Sequence, residues 1–76
     1  MWTEKDKKLY RKFEFKDFSS AFGFITRVAL LAEAANHHPK LTNEYNKVEI
    51  WLCTHDRGDT ITEKDSNLAK NIDELL

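Results

Sequence analysis

The chain has 76 residues, 12 Lys and Arg against 13 Asp and Glu, and a single cysteine. This length allows one domain at most, which we assign to residues 1–76, and the net charge of −1 argues against direct nucleic-acid binding. One cysteine cannot form an internal disulfide, so the composition favours a reducing compartment, and we expect a cytoplasmic protein.

The hydropathy of the chain gives no sign of a membrane segment. The longest apolar run, Val28–Ala32, is far shorter than the ~20 residues that span a bilayer. The N-terminus, Met1–Lys8, lacks the apolar core of a signal peptide. A domain this small and without a cross-link is marginally stable as a monomer, so we expect it to form oligomers.

The first 15 residues have the alternation of a β-hairpin. The predicted strands are Trp2–Glu4 and Leu9–Phe15, joined by a turn at Lys5–Lys8. The apolar side chains of the second strand share one face, which only Arg11 interrupts.

A long helix is predicted after this hairpin. Asp17 is a favourable N-cap residue. Pro39 disfavours helical backbone at His38, so the helix must end near Asn36. Apolar residues at steps of three and four predict one buried stripe, formed by Phe18, Phe22, Ile25, Val28 or Ala29, and Ala32.

A second hairpin follows the long helix. Its predicted strands are Leu41–Tyr45 and Val48–Thr54, with the turn at Asn46-Lys47. Alternation in the second strand places Cys53 on the face opposite the apolar one, together with Trp51.

The last predicted element is a short helix after a loop at residues 55–61. Thr62 is its N-cap residue, and Asp65 at the third helical position gives a pattern close to a capping box. Leu68, Ile72 and Leu75 form its apolar stripe. The order ββαββα, with an apolar face on every element, predicts an α+β fold in which two helices pack on one face of a four-stranded antiparallel sheet.

The three histidines are the residues best suited to chemistry. An unperturbed imidazole titrates at about pH 6.5 and can donate or accept a proton near neutral pH. His37 and His38 are adjacent, and His55 begins a loop directly after a predicted strand, where catalytic side chains are often held. Taken singly, each has a simpler explanation: a helix C-terminus favours cationic His37 and His38, and His55 is a solvated loop residue.

Two acidic residues can likewise be explained either by a role in the site or by an ordinary structural role. Glu33 lies four residues before His37, so it can orient that imidazole on one helical face or form an ordinary exposed i,i+4 pair. Asp65 lies in a first helical turn, where an acid is favoured by the helix dipole without any catalytic role.

The sequence argues against a metal centre or a nucleotide cofactor. Cys53, His55 and Asp56 with His37 and His38 would supply enough nitrogen, sulfur and oxygen ligands. Adjacent histidines rarely chelate one ion, however, and the chain has no HxxxH or CxxC pair. It has no Gly-rich phosphate loop either. We therefore predict no metal and no cofactor.

The combined pattern Glu33-xxx-His37-His38-Pro39, followed by Tyr45, His55 and Asp65, resembles that of the pterin-4a-carbinolamine dehydratases. Members of that family usually carry a further helix before the position of Trp2, so the chain resembles a short member. The resemblance runs from Trp2 nearly to the C-terminus and includes Phe13–Phe18, Ala21–Phe24, Thr26–Leu30, Tyr45–Val48 and Asn67–Ala69.

This resemblance implies a hydro-lyase without metal or organic cofactor, which dehydrates a 4a-hydroxytetrahydropterin to the quinonoid dihydropterin and so recycles tetrahydrobiopterin. His37 and His55 would be the principal acid–base groups, in an order left open, and His38 would bind or polarise the substrate. Glu33 would orient His37, and Asp65 would support the pocket electrostatically. The substrate contacts would be Asn36, His37, His38, Cys53, Thr54, His55 and Asp56.

The resemblance also implies other roles. Some relatives act as dimerisation cofactors for homeodomain transcription factors, so a protein-interaction module is one alternative, and a catalytically weak pterin-binding protein is another. The expected assembly is a homodimer or homotetramer built through sheet edges or helix faces, with a protein partner in the first alternative.

Overall fold

The computed structural model describes every residue from Met1 to Leu76, in the predicted order ββαββα. All strand pairs are antiparallel, and the strand order across the sheet is β1-β2-β4-β3. Both helices pack against the same face of the sheet, so the predicted fold class is confirmed. The elements are β1 (Thr3–Lys5), β2 (Lys8–Glu14), α1 (Phe18–Ala35), β3 (Lys40–Glu44), β4 (Lys47–Leu52), a 3₁₀ turn (His55–Arg57) and α2 (Glu63–Asp73).

The first hairpin turn lies inside the predicted segment Lys5–Lys8, whereas the second is displaced. The first consists of Asp6 and Lys7 alone, both left-handed (φ 53° and 64°), as the tightest two-residue turns require. The second lies at Tyr45-Asn46, so the turn predicted at Asn46-Lys47 is wrong by one residue. The reason is tertiary: the Asn46 amide donates to the Phe15 carbonyl oxygen at 2.8 Å, which leaves Lys47 as the first residue of β4.

Both predicted ends of α1 are confirmed. The Asp17 carboxylate accepts a hydrogen bond from the Ser20 main-chain N–H at 2.7 Å, and this bond lowers the pKa of Asp17. At the other end Asn36 is left-handed (φ 50°, ψ 44°), and its N–H donates to the Ala32 and Glu33 carbonyls. Asparagine tolerates this conformation better than most residues, so α1 stops here.

The buried stripe of α1 agrees with the predicted one at Val28 and Ala32 but differs at its aromatic residues. Phe18 and Phe22 are about half exposed, at 49% and 51%. Phe24 is fully buried instead, and its ring lies 4.8 Å from that of Phe13 and 4.9 Å from that of Phe15. Because α1 has apolar residues on several sides, its periodicity is compatible with more than one buried stripe. The contacts of Phe24 with Phe13 and Phe15 decide which stripe packs against the sheet. The buried residues of α1 are Ala21, Phe24, Val28 and Ala32.

The apolar face of the sheet tolerates one arginine. Arg11 stands opposite Ile50 in the sheet, and its guanidinium lies over the Phe13 ring and donates to Asp73 of α2 at 2.8 Å. The Trp2 indole N–H donates to the same carboxylate oxygen at 2.9 Å. Asp73 therefore ties the N-terminal hairpin to α2.

By length and composition alone, α1 also meets the minimum requirement for a membrane-crossing helix. The short apolar runs of the sequence did not suggest this. The helix nevertheless contributes Phe24 and Val28, both fully buried, to the core beneath the sheet. Crossing a bilayer would remove these side chains from the core, and a core helix of this composition meets the same requirement.

We predict that Leu68→Ala destabilises the fold by about 2–5 kcal/mol, because Leu68 is 1% exposed in the core and truncation leaves a cavity. Leu76→Ala is the matched control, since Leu76 is 63% exposed; it should change stability by less than about 0.5 kcal/mol. Urea unfolding followed by circular dichroism measures both. Equal effects of the two substitutions would contradict the assigned core.

Candidate active site

A cavity of about 380 Å³ opens where the end of α1, the end of β4 and the start of α2 meet. All seven residues predicted from the resemblance to contact substrate lie around it, although they come from two separate segments of the chain. Lys64 is the one further lining residue. The complete lining is Asn36, His37, His38, Cys53, Thr54, His55, Asp56 and Lys64.

His37 is held against α2 by a buried carboxylate. Its Nε2 lies 2.5 Å from Oδ1 of Asp65, whose side chain is fully buried, and the His37 side chain is itself only 12% exposed. The left-handed Asn36 makes this contact possible, because it turns the chain so that the His37 N–H bonds back to the Ala32 carbonyl at 3.0 Å. The end of α1 thus aims His37 at the start of α2.

The Asp65 carboxylate contacts three separate segments of the chain. Its Oδ2 accepts from the Thr62 main-chain N–H and from the Thr54 hydroxyl, each at 2.8 Å, which completes the predicted capping box of α2. The Thr62 and Thr54 hydroxyl oxygens are 2.6 Å apart. Since the only hydroxyl proton of Thr54 goes to Asp65, Thr62 must be the donor in that bond.

Glu33 contacts a different histidine from the predicted one. Its carboxylate lies 2.8 Å from Nε2 of His38 and makes no hydrogen bond to His37. The i,i+4 geometry that favours a Glu33–His37 pair ends with the helix, because Asn36 redirects the chain before His37. Both members of the Glu33–His38 pair are mostly exposed, so the pair adds little stability.

His55 has a carboxylate partner that the sequence analysis missed. Its Nδ1 lies 2.7 Å from Oδ1 of Asp59, and both side chains are mostly exposed. Gly58 (φ 78°) and Asp59 (φ 55°) are both left-handed, and they turn the loop back toward His55. The available signal was the i,i+4 spacing of a histidine and an acid around a glycine, which is the residue most suited to such a turn.

The three histidines therefore share one arrangement. In each, one ring nitrogen meets a carboxylate and the other has no partner within the protein. The unpartnered atoms are Nδ1 of His37, Nδ1 of His38 and Nε2 of His55. Each imidazole therefore has one nitrogen available to donate or accept a proton, and the buried Asp65 carboxylate also fixes the orientation of His37.

Cys53 and Lys64 complete the cavity. The prediction that Cys53 lies on the open face of the sheet is wrong, because β4 ends at Leu52 and Cys53 is 7% exposed beneath the cavity. Burial raises the pKa of its thiol. Lys64 lies in the first turn of α2, where the helix dipole disfavours a cation. This unfavourable placement of a cation was the feature of the sequence that could have identified Lys64 as a residue of the site.

Comparison with known proteins supplies the family. Residues 1–75 match the family model described as Pterin 4 alpha carbinolamine dehydratase. The chain belongs to this family.

Family members with similar sequences come from several bacteria. A protein of Synechococcus sp. is 53% identical over 74 residues, which cover 97% of this chain and 78% of that protein. One from Rhodospirillum rubrum is 56% identical over 68 residues, covering 90% of this chain and 70% of that protein. Both are provisionally named pterin-4-alpha-carbinolamine dehydratases.

Two solved structures share the fold of this chain. The crystal structure of a transcriptional coactivator/pterin dehydratase from Brucella melitensis superposes with a TM-score of 0.91 at 41% identity, covering 96% of this chain and 79% of that one. A pterin dehydratase-like protein described as a RuBisCO assembly factor in the alpha-carboxysome gives a TM-score of 0.78 at 24% identity, covering 99% and 86%. This second likeness concerns the fold alone, and it shows that proteins of this fold differ in function.

We predict that Asp65→Ala destabilises the protein by about 3–5 kcal/mol, because it leaves His37, Thr54 and the Thr62 N–H without their buried partner. Asp56→Ala is the control: Asp56 lines the same cavity but is exposed. It should shift stability by less than about 0.5 kcal/mol. Urea unfolding compares the two, and a loss below about 1 kcal/mol for Asp65→Ala would contradict its supporting role.

We predict slow alkylation of Cys53 at pH 7. Because burial raises the pKa of the thiol, the reactive thiolate is scarcer at neutral pH than for an ordinary cysteine, and the rate should keep rising above pH 8.5 or so. Mass spectrometry after iodoacetamide treatment measures the rate, with the urea-unfolded chain as control. The folded chain should react at least about tenfold more slowly, and equal rates would contradict the buried placement.

Proposed function

We propose that this chain is a 4a-hydroxytetrahydrobiopterin dehydratase, which removes water from the pterin-4a-carbinolamine to give the quinonoid dihydropterin. One observation carries the proposal: three histidines line a single cavity, each with one ring nitrogen against a carboxylate and the other unpartnered. The family to which the chain belongs supports pterin dehydration as the general reaction.

The reaction needs one acid and one base. The carbon–oxygen bond at the tetrahedral ring carbon breaks, and the hydroxyl leaves as water after accepting a proton. The neighbouring ring N–H loses its proton, and a carbon–nitrogen double bond forms. Positioned imidazoles suit both proton transfers near neutral pH, and each typically contributes about 10²–10⁴-fold in rate.

We assign the two transfers to His37 and His55, with His38 polarising the substrate. His37 is buried and oriented by Asp65, so it is the rigid member of the pair. His55 is exposed on a loop, so it can adjust to the substrate. Either order of acid and base balances the reaction, and the pH–rate profiles of the single variants would assign them.

The remaining lining residues would bind the pterin ring, which carries both hydrogen-bond donors and acceptors. The Asn36 amide, the Asp56 carboxylate and the Lys64 ammonium are exposed and can contact such a ring. Thr54 differs, because its hydroxyl is already bonded to Asp65. We infer that Thr54 and Cys53 contact substrate mainly through their main chains.

We predict that His37→Ala and His55→Ala each lower the dehydration rate by about 10²–10⁴-fold. The assay follows the spectroscopic decay of freshly generated 4a-hydroxytetrahydropterin. Thr42→Ala is the control, since Thr42 is exposed on the strand β3 and lies outside the cavity. It should change the rate by less than about twofold.

Two outcomes would contradict the proposal in different ways. If the wild type and the His37→Ala/His55→Ala double variant are equally slow, the chain is not a dehydratase. If calorimetry also shows tight binding of a dihydropterin, the chain is a pterin-binding protein without significant turnover.

We further propose that the chain forms a cytoplasmic homodimer or homotetramer through the outer face of α1. Phe18, Phe22 and Leu30 are 49%, 51% and 67% exposed on this helix, which is unusual for large apolar side chains. The free thiol of Cys53 is consistent with a reducing compartment. The same surface favours the second candidate function, a protein-interaction module, because the Brucella melitensis neighbour is described as a transcriptional coactivator.

We predict that Phe22→Glu converts the oligomer to a monomer, because it puts a charge into the proposed apolar interface. Light scattering at micromolar concentration measures the mass, with Ser66→Glu as the control, since Ser66 is an exposed residue of α2 outside the proposed interface. A monomeric wild type would contradict the proposed assembly.

A further inference from the structure

A second cluster of chemically reactive side chains lies at the edge of the cavity. Cys53, His55 and Asp59 each offer one ligand atom, and these atoms all lie within 4.8 Å of one another. We propose that these three residues form a binding site for a zinc-like divalent cation, with water completing the coordination.

The donor set matches this class of ion. Zinc binds cysteine sulfur, histidine nitrogen and carboxylate oxygen, and a site with three protein ligands leaves the fourth position to water. A thiolate and a carboxylate beside a neutral imidazole carry two negative charges, which balance a divalent cation. The ion together with its three ligands would therefore be electrically neutral, which suits a site that is partly buried.

The geometry needs only a small adjustment. Metal–ligand distances of about 2.0–2.3 Å put tetrahedral ligand atoms roughly 3.5 Å apart, so a pair at the upper limit of 4.8 Å must approach by about 1.3 Å. His55 and Asp59 have mostly exposed side chains that can move, whereas Cys53 is held by the core. The ion would replace the proton now shared between His55 Nδ1 and Asp59 Oδ1 at 2.7 Å.

This ligand set differs from the one considered in the sequence. The prediction of no metal weighed the adjacent His37 and His38, which are held by Asp65 and Glu33 and take no part here. Asp59 was not considered, because only the left-handed turn at Gly58 and Asp59 brings it back to His55.

Occupation of the site would regulate the proposed reaction. Coordination through one ring nitrogen of His55 fixes the proton on the other nitrogen, so His55 can no longer accept a proton, and the metal-bound ring N–H is a much weaker acid than an imidazolium. This consequence rests on the proposed function, whereas binding of the ion does not. We therefore expect zinc to inhibit the dehydratase.

The binding test uses the full chain after treatment with a chelator and its removal. Zn²⁺ is titrated by calorimetry and Co²⁺ by absorption, and we expect one ion per chain with a thiolate-to-cobalt charge-transfer band. Asp59→Asn and Cys53→Ser should each weaken Zn²⁺ binding at least about tenfold, and Cys53→Ser should abolish the band. Asp56→Asn is the matched control, an exposed neighbouring acid outside the cluster, and should bind as the wild type does.

Two results would overturn the site: no saturable Zn²⁺ binding at micromolar concentration, or binding that Asp59→Asn leaves unchanged. Because Asp59 is exposed, Asp59→Asn stays informative even if Cys53→Ser unfolds the protein.

The activity test compares each variant with and without Zn²⁺, relative to its own basal rate. Wild type should be inhibited at the concentration that saturates the site, and Asp59→Asn should resist inhibition. If the chain shows no dehydration at all, the proposed function fails while the binding test still decides the site. If Zn²⁺ binds through the cluster without inhibiting an active enzyme, the regulatory consequence is wrong.

Discussion

The buried carboxylate of Asp65 joins the three parts of the chain that form the cavity. It has no exposed surface and meets His37 from the end of α1, Thr54 from the end of β4 and the main chain of Thr62 at the start of α2. A buried charge is tolerated only when its hydrogen-bonding capacity is used, so these contacts depend on one another. The residue that caps α2 is therefore also the residue that orients His37.

The three histidine–carboxylate pairs have the same chemistry and differ in burial. The His37–Asp65 pair is almost completely enclosed, whereas the pairs at His38 and His55 are largely open to solvent. Water screens the open pairs and allows their side chains to move. The cavity thus combines one rigid imidazole, fixed by the core, with two adjustable ones at its rim. The loop that carries His55 also brings Cys53 and Asp59 within reach of the same ring.

The apolar surplus of α1 follows from the small size of the domain. Only 14 of 76 residues are buried, so the sheet can cover no more than one side of this long helix. Phe24 is on the covered side, whereas Phe18 and Phe22 remain half exposed. Periodicity alone did not distinguish these stripes, because a helix with apolar residues on several sides has no single preferred face. The aromatic contacts of Phe24 with the second strand made the choice.

Local sequence patterns were sufficient to predict the order of the elements and the α+β class. They also predicted the helix caps at Asp17 and Thr62 and the end of α1 before Pro39. These features could be predicted because caps, prolines and alternation act over a few residues. The resemblance in sequence also named seven of the eight residues that line one cavity, all except Lys64. Only the tertiary structure decided that Asp65 is the partner of His37. Asp65 is 28 residues from His37 in the chain, and the left-handed Asn36 ends the helical geometry that would have paired His37 with Glu33. Contacts between distant segments depend on how the helices pack on the sheet, so no local pattern could assign them.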